Sequence, residues 1–157
     1  MANRTLEDRV AERTVSLEEA QQRLVDAIES ASEGFAFYDR NDRLVLCNQR
    51  YQELLYKQSD TLIKPGMSFE TIIRCAAEQG LIPEARNDVD SFVRKRLWEH
   101  RNPDASILQQ RADGRWIRIN ERKTSDGGIV AIFSDLTEIK KHEAELAAFV
   151  EELGRAR

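Results

Sequence analysis

Two cysteines, Cys47 and Cys75, and three prolines are all that the 157 residues contain of either type. Two distant cysteines cannot make the disulfide framework of a small secreted scaffold, and a chain this long has no need of one, since it buries roughly 68–70% of its unfolded surface in a single core. Long apolar runs are also missing. No stretch approaches the roughly 18–20 residues of a membrane span, and the opening Met1-Ala2-Asn3-Arg4-Thr5 lacks the apolar region of a secretory signal. The expectation is a cytoplasmic segment that makes no membrane contact. Basic charge is in no excess either: 24 Lys and Arg face 28 Asp and Glu, so there is no electrostatic reason for a nucleic-acid partner. The two histidines, His100 and His142, have no second ligand at helical spacing and no Cys-x-x-Cys partner, which excludes a recognisable metal site. Gly127-Gly128 reads as a hairpin turn and not as a phosphate-binding loop.

What is present is a chain with acidic, helix-forming ends. Residues 1–33 carry eight acidic and four basic side chains. Within them Leu6, Ala20 and Ala27 fall on one heptad row, with Arg13 among them, and Val10, Leu17 and Leu24 fall on the other. The stripe is narrow, so a second parallel copy would cover it as a dimeric coiled coil; packing of the helix on its own domain is the alternative. At the other end Ile139, His142, Leu146, Phe149 and Leu153 follow the same 3, 4, 3, 4 spacing.

Between the ends the period changes. Residues 34–38 and 44–47 read as a hairpin about the turn cluster Asp39-Arg40-Asn41-Asp42. Asn48 caps a short helix containing Tyr51. Ser68 caps a helix over residues 69–79, and Asn87 or Asp88 starts a third helix in which Val89, Phe92, Val93 and Arg96-Leu97 recur. Three strands follow, over residues 105–112, 116–124 and 129–133, separated by Asp113-Gly114 and Asp126-Gly127-Gly128. In the middle one Ile117, Ile119 and Glu121 share one face, and Trp116, Arg118, Asn120 and Arg122 the other. Arg94, Arg96, Arg118 and Arg122 are read as wet faces, Asp39 and Asp42 as turn residues, and Cys47 and Cys75 as small core residues. The fold class is α+β: a five-stranded antiparallel sheet with helices on one face and amphipathic helices at both ends.

Residues 24–137 carry a resemblance. Ala27-Ile28-Glu29-Ser30-Ala31-Ser32-Glu33-Gly34-Phe35, Tyr38-Asp39, Leu44-Val45-Leu46-Cys47-Asn48-Gln49-Arg50-Tyr51, Arg111-Ala112-Asp113-Gly114-Arg115-Trp116-Ile117 and Asp135-Leu136-Thr137-Glu138 stand in the order of a PAS domain of bacterial signalling proteins. The resemblance implies a helical linker over residues 1–27, a sensory core over 28–137 and an output helix over 138–157. It implies a sensor or transducer module of a two-component signal transduction protein, such as a sensor histidine kinase, working as a homodimer on a downstream effector domain. Asp135, Thr137 and Glu138 form the expected signal junction, with Thr137 capping the exit helix through its hydroxyl. Leu6, Val10, Leu17, Ala20, Leu24 and Ala27 form the expected dimer seam.

The segment holds no effector chemistry of its own; the parent protein is expected to supply a histidine kinase or a nucleotide cyclase. His142 is read as a seam or solvated histidine and not as a phosphoacceptor. No cofactor is expected. The cysteine of flavin-binding light sensors is absent around residues 65–69. Haem would need an axial histidine, and His100, which stands in the right helix, is read as a surface residue. A small organic ligand, apolar or acidic, remains an alternative, with Phe37, Tyr51, Phe69, Phe92, Trp98 and Phe133 lining its pocket; the same residues also make an ordinary filled core. A purely structural dimeriser and a small ligand-converting enzyme are the alternative functions.

Overall fold

A computed structural model describes residues 5–155. The chain divides into two units, residues 1–32 and 33–157. In the first, helix α1 spans Leu6–Ser30 and opens on a capping box, in which the Thr5 hydroxyl accepts from the Asp8 N–H and the Asp8 carboxylate from the Thr5 N–H. None of its residues is buried, and Leu6, Val10, Leu17, Ala20, Leu24 and Ala27 are all exposed.

The second unit holds β1 (Gly34–Tyr38), β2 (Leu44–Cys47), α2 (Gln49–Leu55), α3 (Phe69–Glu78), a 3-10 turn at Pro83–Ala85, α4 (Val89–Arg101), β3 (Ile107–Gln110), β4 (Trp116–Lys123), β5 (Ile129–Asp135) and α5 (Thr137–Arg155). The strands form one antiparallel sheet in the order β2-β1-β5-β4-β3. The expected α+β architecture is therefore present. Asn48, Ser68 and Asp88 each accept from a backbone N–H three residues on, and so start α2, α3 and α4. Gly128 closes the β4–β5 hairpin where only a glycine fits, since a Cβ there would stand 2.4 Å from the Tyr38 carbonyl oxygen.

Register fixes the inner face. Ala36 pairs with Ala131, Gly34 and Ile119 both pair with Phe133, and Glu121 pairs with Ala131 across the central strands. Ile117, Ile119, Ala131, Phe133, Ala36 and Tyr38 join Leu54, Ile72, Ile73, Ala76 and Val93 of the helices in one core. Trp116 lies on the opposite face, half-buried under Lys140, whose ammonium is 5.7 Å from the ring centroid. Replacing Ile119 with Ala should therefore cost about 2–4 kcal/mol through lost transfer energy and a residual cavity. Trp116→Ala should cost clearly less in the same denaturant titration. The reverse order would mean that β4 is shifted by one residue.

Candidate functional site

Helix α4 lays Phe92, Arg96 and His100 along one line at intervals of four, and all three are buried. His100 has no exposed surface. Its Nε2 lies 2.7 Å from Asp42 Oδ1, and its Nδ1 makes a very short contact with Glu121 Oε2. With a carboxylate on each ring nitrogen, the imidazole satisfies both only as a cation that donates twice. The ring stacks on Phe69, with centroids 3.6 Å apart and planes 6° from parallel, and meets Tyr38 edge-on. Arg96 stands over the same Phe69 ring at 5.1 Å. Its Nη1 is 2.8 Å from Glu121 Oε1, close enough for an ion pair but not aligned for a hydrogen bond, and its Nε has no partner among the described residues.

The elements that hold this cluster explain its geometry. Glu121 points inward because it is two residues beyond Ile119 on β4. Asp42 reaches His100 from the β1–β2 turn, where its backbone is left-handed at φ 61°. Asp42 also ties that turn to α3, since its carbonyl accepts from the Phe69 N–H. Burial alone would lower the His100 pKa, but the hydrogen bonds and charges of Asp42 and Glu121 outweigh it and raise the pKa above the ordinary 6.5. Burial would raise that of Glu121, and His100 and Arg96 together hold it below the usual 4.5.

A cavity of about 20 Å³ lies between sheet and helices, lined by Tyr38, Tyr51, Tyr56, Phe69, Arg96 and Arg111 among others. Arg111, just beyond β3, is buried; it donates to Gln109 Oε1 and the Leu55 carbonyl and lies 5.7 Å over the Tyr56 ring. Burial pushes its pKa down. The phenols of Tyr38, Tyr51 and Tyr56 are all pushed up, chiefly by burial, and so stay protonated.

At the far end of the sheet β5 turns directly into α5. The Asp135 carboxylate accepts from the Thr137 N–H at 2.9 Å and from the Thr137 hydroxyl, while that hydroxyl accepts from the Trp116 N–H of β4 at 3.1 Å. The Trp116 carbonyl also accepts from the Leu136 N–H. The capping acceptor is thus Asp135. Thr137 is the first helical residue, and its hydroxyl bridges the helix base to β4, which corrects the sequence expectation.

Comparison with known proteins places this architecture. The PAS fold family matches residues 28–144. The chain belongs to that family. The chain is 35% identical over 141 residues to the "Non-motile and phage-resistance protein" of Caulobacter vibrioides, a match that covers 87% of this chain and spans 14% of the length of that protein. Solved structures similar to it include the PAS domain of an HTR-like protein from Haloarcula marismortui, at 20% identity, TM-score 0.42, and coverage of 80% of this chain and 98% of that one. The PAS domain of Bordetella pertussis BvgS matches at 19% identity and TM-score 0.43, covering 88% and 99%.

The residues anticipated for a pocket in this PAS domain are scattered. Tyr51, Phe69 and Phe133 line the cavity. Phe92 is buried elsewhere in the core, Phe37 lies half-buried on the alternate face of β1, and Trp98 is exposed at a surface cleft beside Pro103 and Ile107. His100 and Arg96, expected at the surface, are buried because two carboxylates reach them. Asp42 is correspondingly more than a turn residue. Cys47 and Cys75 are both half-buried, and the Cys47 sulfur lies 3.5 Å from Gln52 Nε2. Glu138 is exposed in the first turn of α5, 4.0 Å from an exposed His142.

Haem does not fit the residues present. Both His100 nitrogens are taken by carboxylates, and the inner cavity is far smaller than a macrocycle. The same saturation argues against a catalytic base, since the buried His100 offers no free nitrogen to a substrate. Among the described residues no group of side chains is arranged to hold a metal ion, and no helix is long and apolar enough to cross a membrane.

Proposed function

We propose that this PAS domain is the sensory and dimerising module of a cytoplasmic signal transduction protein, of the sensor histidine kinase type, and that it passes the state of its core to the exit helix. The observation that carries the reading is the junction, where α5 starts on side chains and carbonyls of two paired strands at once. A displacement of β4 against β5 therefore acts on the first turn of α5, and the exposed apolar row Ile139, Leu146, Phe149 and Leu153 gives that helix a partner helix to turn against.

Thr137→Ala removes the bridge to Trp116. The loss should be local, about 0.5–1.5 kcal/mol for one hydrogen bond. Amide exchange should accelerate over residues 136–145 and stay unchanged over 117–133, and a chain fused to an active effector should show altered basal output. Equal protection in both proteins would sink the proposed junction. Altered exchange with constant output would favour a passive dimeriser, the reading that the nearly filled core supports.

Dimerisation rests on α1. Its exposed row of Val10, Leu17 and Leu24 beside Leu6, Ala20 and Ala27 is too narrow to bury in one chain and matches the seam of a two-stranded coil. Light scattering on the full chain should give twice the monomer mass, and Leu17→Asp should weaken association by placing like charges across the seam. An unchanged mass would put the interface elsewhere.

A further inference from the structure

We propose that His100 is a proton-operated latch: when charged it clips the β1–β2 turn to α4 through Asp42, and when it loses its proton it keeps Glu121 and lets Asp42 go. The latch goes beyond the transducer reading, since it is a property of the core and holds whether or not α5 transmits anything. Donor number is the first argument. A charged imidazole has an N–H for each of two carboxylates, whereas a neutral one has a single N–H and a lone pair. Both ring nitrogens of His100 face a carboxylate, Nε2 that of Asp42 at 2.7 Å and Nδ1 that of Glu121. Deprotonation therefore sets a lone pair against a carboxylate, and one of the two contacts must open.

Exposure decides which one. The Glu121 side chain is 3% exposed and that of Asp42 25%. Asp42 can replace the lost N–H with water, whereas Glu121, shut in the core, would be left with an oxygen that nothing solvates. The remaining proton therefore stays on Nδ1. The other groups around the ring keep their charge state: Arg96, one turn back on α4, stays a cation beside Glu121, the Tyr38 phenol from β1 is kept protonated by burial, and Phe69 from α3 carries no charge. Burial works against the His100 cation and the two carboxylates outweigh it, so the latch opens above the ordinary 6.5.

Asp42 is where the release acts. Its backbone is left-handed at φ 61°, a conformation that residues other than glycine keep under restraint from their surroundings. Its carbonyl accepts from the N–H of Phe69, the first residue of α3, at 2.9 Å. Arg43 beside it bridges to Ser68 and donates to the Gly66 carbonyl at 2.8 Å. The turn and the entry to α3 are thus one piece, and the imidazole that holds Asp42 also stacks on the Phe69 ring. Opening the latch frees residues 39–43 and 66–69 together, while Glu121 and the β4–β5 pair stay in place.

The test is an NMR titration of the full chain from about pH 5 to 9, the range in which a histidine changes charge. The His100 ring nitrogens should titrate, with Nε2 losing its proton and Nδ1 keeping it. The scalar coupling across the hydrogen bond from the Phe69 N–H to the Asp42 carbonyl should vanish with the same midpoint, while couplings across the β4–β5 pairs persist. A ring that stays charged throughout, a proton lost from Nδ1, or a Phe69 coupling that survives the ring titration would each overturn the latch. Asp42→Asn is the matching variant, because asparagine tolerates the left-handed backbone and its amide can accept from the charged ring or donate to the neutral one. The Phe69 coupling should then be present at both ends of the titration, and its loss at high pH in this variant would overturn the proposal as well. If Asp42→Asn does not fold, the wild-type proton position and coupling decide alone. Amide signals of residues 136–145 that stay still while the turn responds uphold the latch and deny it only a part in transmission.

Discussion

Glu121→Ala should destabilise the fold by about 3–5 kcal/mol, the cost of leaving buried charge without its partner. The Glu121 side chain is 3% exposed and gives one oxygen to Arg96 and the other to His100. Its removal strands two cations. Arg96 would keep only its place over Phe69, and His100 would keep Asp42 alone, whose side chain is partly in water. A loss of that size is a large share of the roughly 5–15 kcal/mol that holds a domain together. In urea the midpoint should fall sharply with little change in slope. The double variant Arg96→Met/Glu121→Leu is the control: removing both charges for apolar side chains of similar volume should recover much of the loss. If the double variant is as unstable as Glu121→Ala, packing around the cluster, and not stranded charge, sets the cost.

The cluster was partly legible in the sequence. The period-two pattern of β4 put Glu121 on the same face as Ile117 and Ile119, and a carboxylate on a core face demands a buried donor. The helical spacing of α4 put Arg96 on the line of Phe92 and Val93, and His100 follows four residues later. Each residue taken singly still reads as surface, since charged side chains are seldom fully buried unless paired. The pairing partners are far apart in the chain: Asp42 and His100 are separated by 58 residues and Glu121 and His100 by 21. No periodicity within one element reports a contact between three. By contrast the strands, the turns and the caps Asn48, Ser68 and Asp88 were readable because each depends on neighbours within four residues.

Three of the six anticipated pocket residues, Phe37, Phe92 and Trp98, do not line the cavity, for a related reason. Aromatic type was used where face was needed. Phe37 alternates with Tyr38 on β1, so only one of them can look inward, and the strand gives that place to Tyr38. Trp98 lies two residues from Arg96 and from His100, on another side of α4. At the start of α5 the hydrogen-bond role of Thr137 depended on its distance to Trp116, 21 positions away. Asp135 could take the cap because it sits two residues before the amide it serves, an ordinary turn geometry for Asp.

The second large effect is on pH. His100 is faced by Asp42 from the β1–β2 turn, Glu121 from β4, Tyr38 from β1 and Phe69 from α3, with Arg96 one turn back on α4. Its folded pKa lies above 6.5, so the folded state keeps a proton that the unfolded chain gives up. The stabilisation is therefore complete below about pH 6.5 and is lost as pH rises through the folded pKa, at a slope of no more than about 1.4 kcal/mol per pH unit for one proton. Glu121 works in the other direction. Its folded pKa lies below 4.5, so its share is complete above about pH 4.5 and is lost as pH falls through the folded value. The two together give a stability maximum on the mildly acidic side of neutrality, falling toward alkaline pH. Unfolding free energies of the wild type and of His100→Gln, measured in urea from pH 5 to 9, should show the alkaline decline in the first and its loss in the second. Parallel curves would mean that His100 is neutral when folded, with one of its two carboxylates carrying the proton instead.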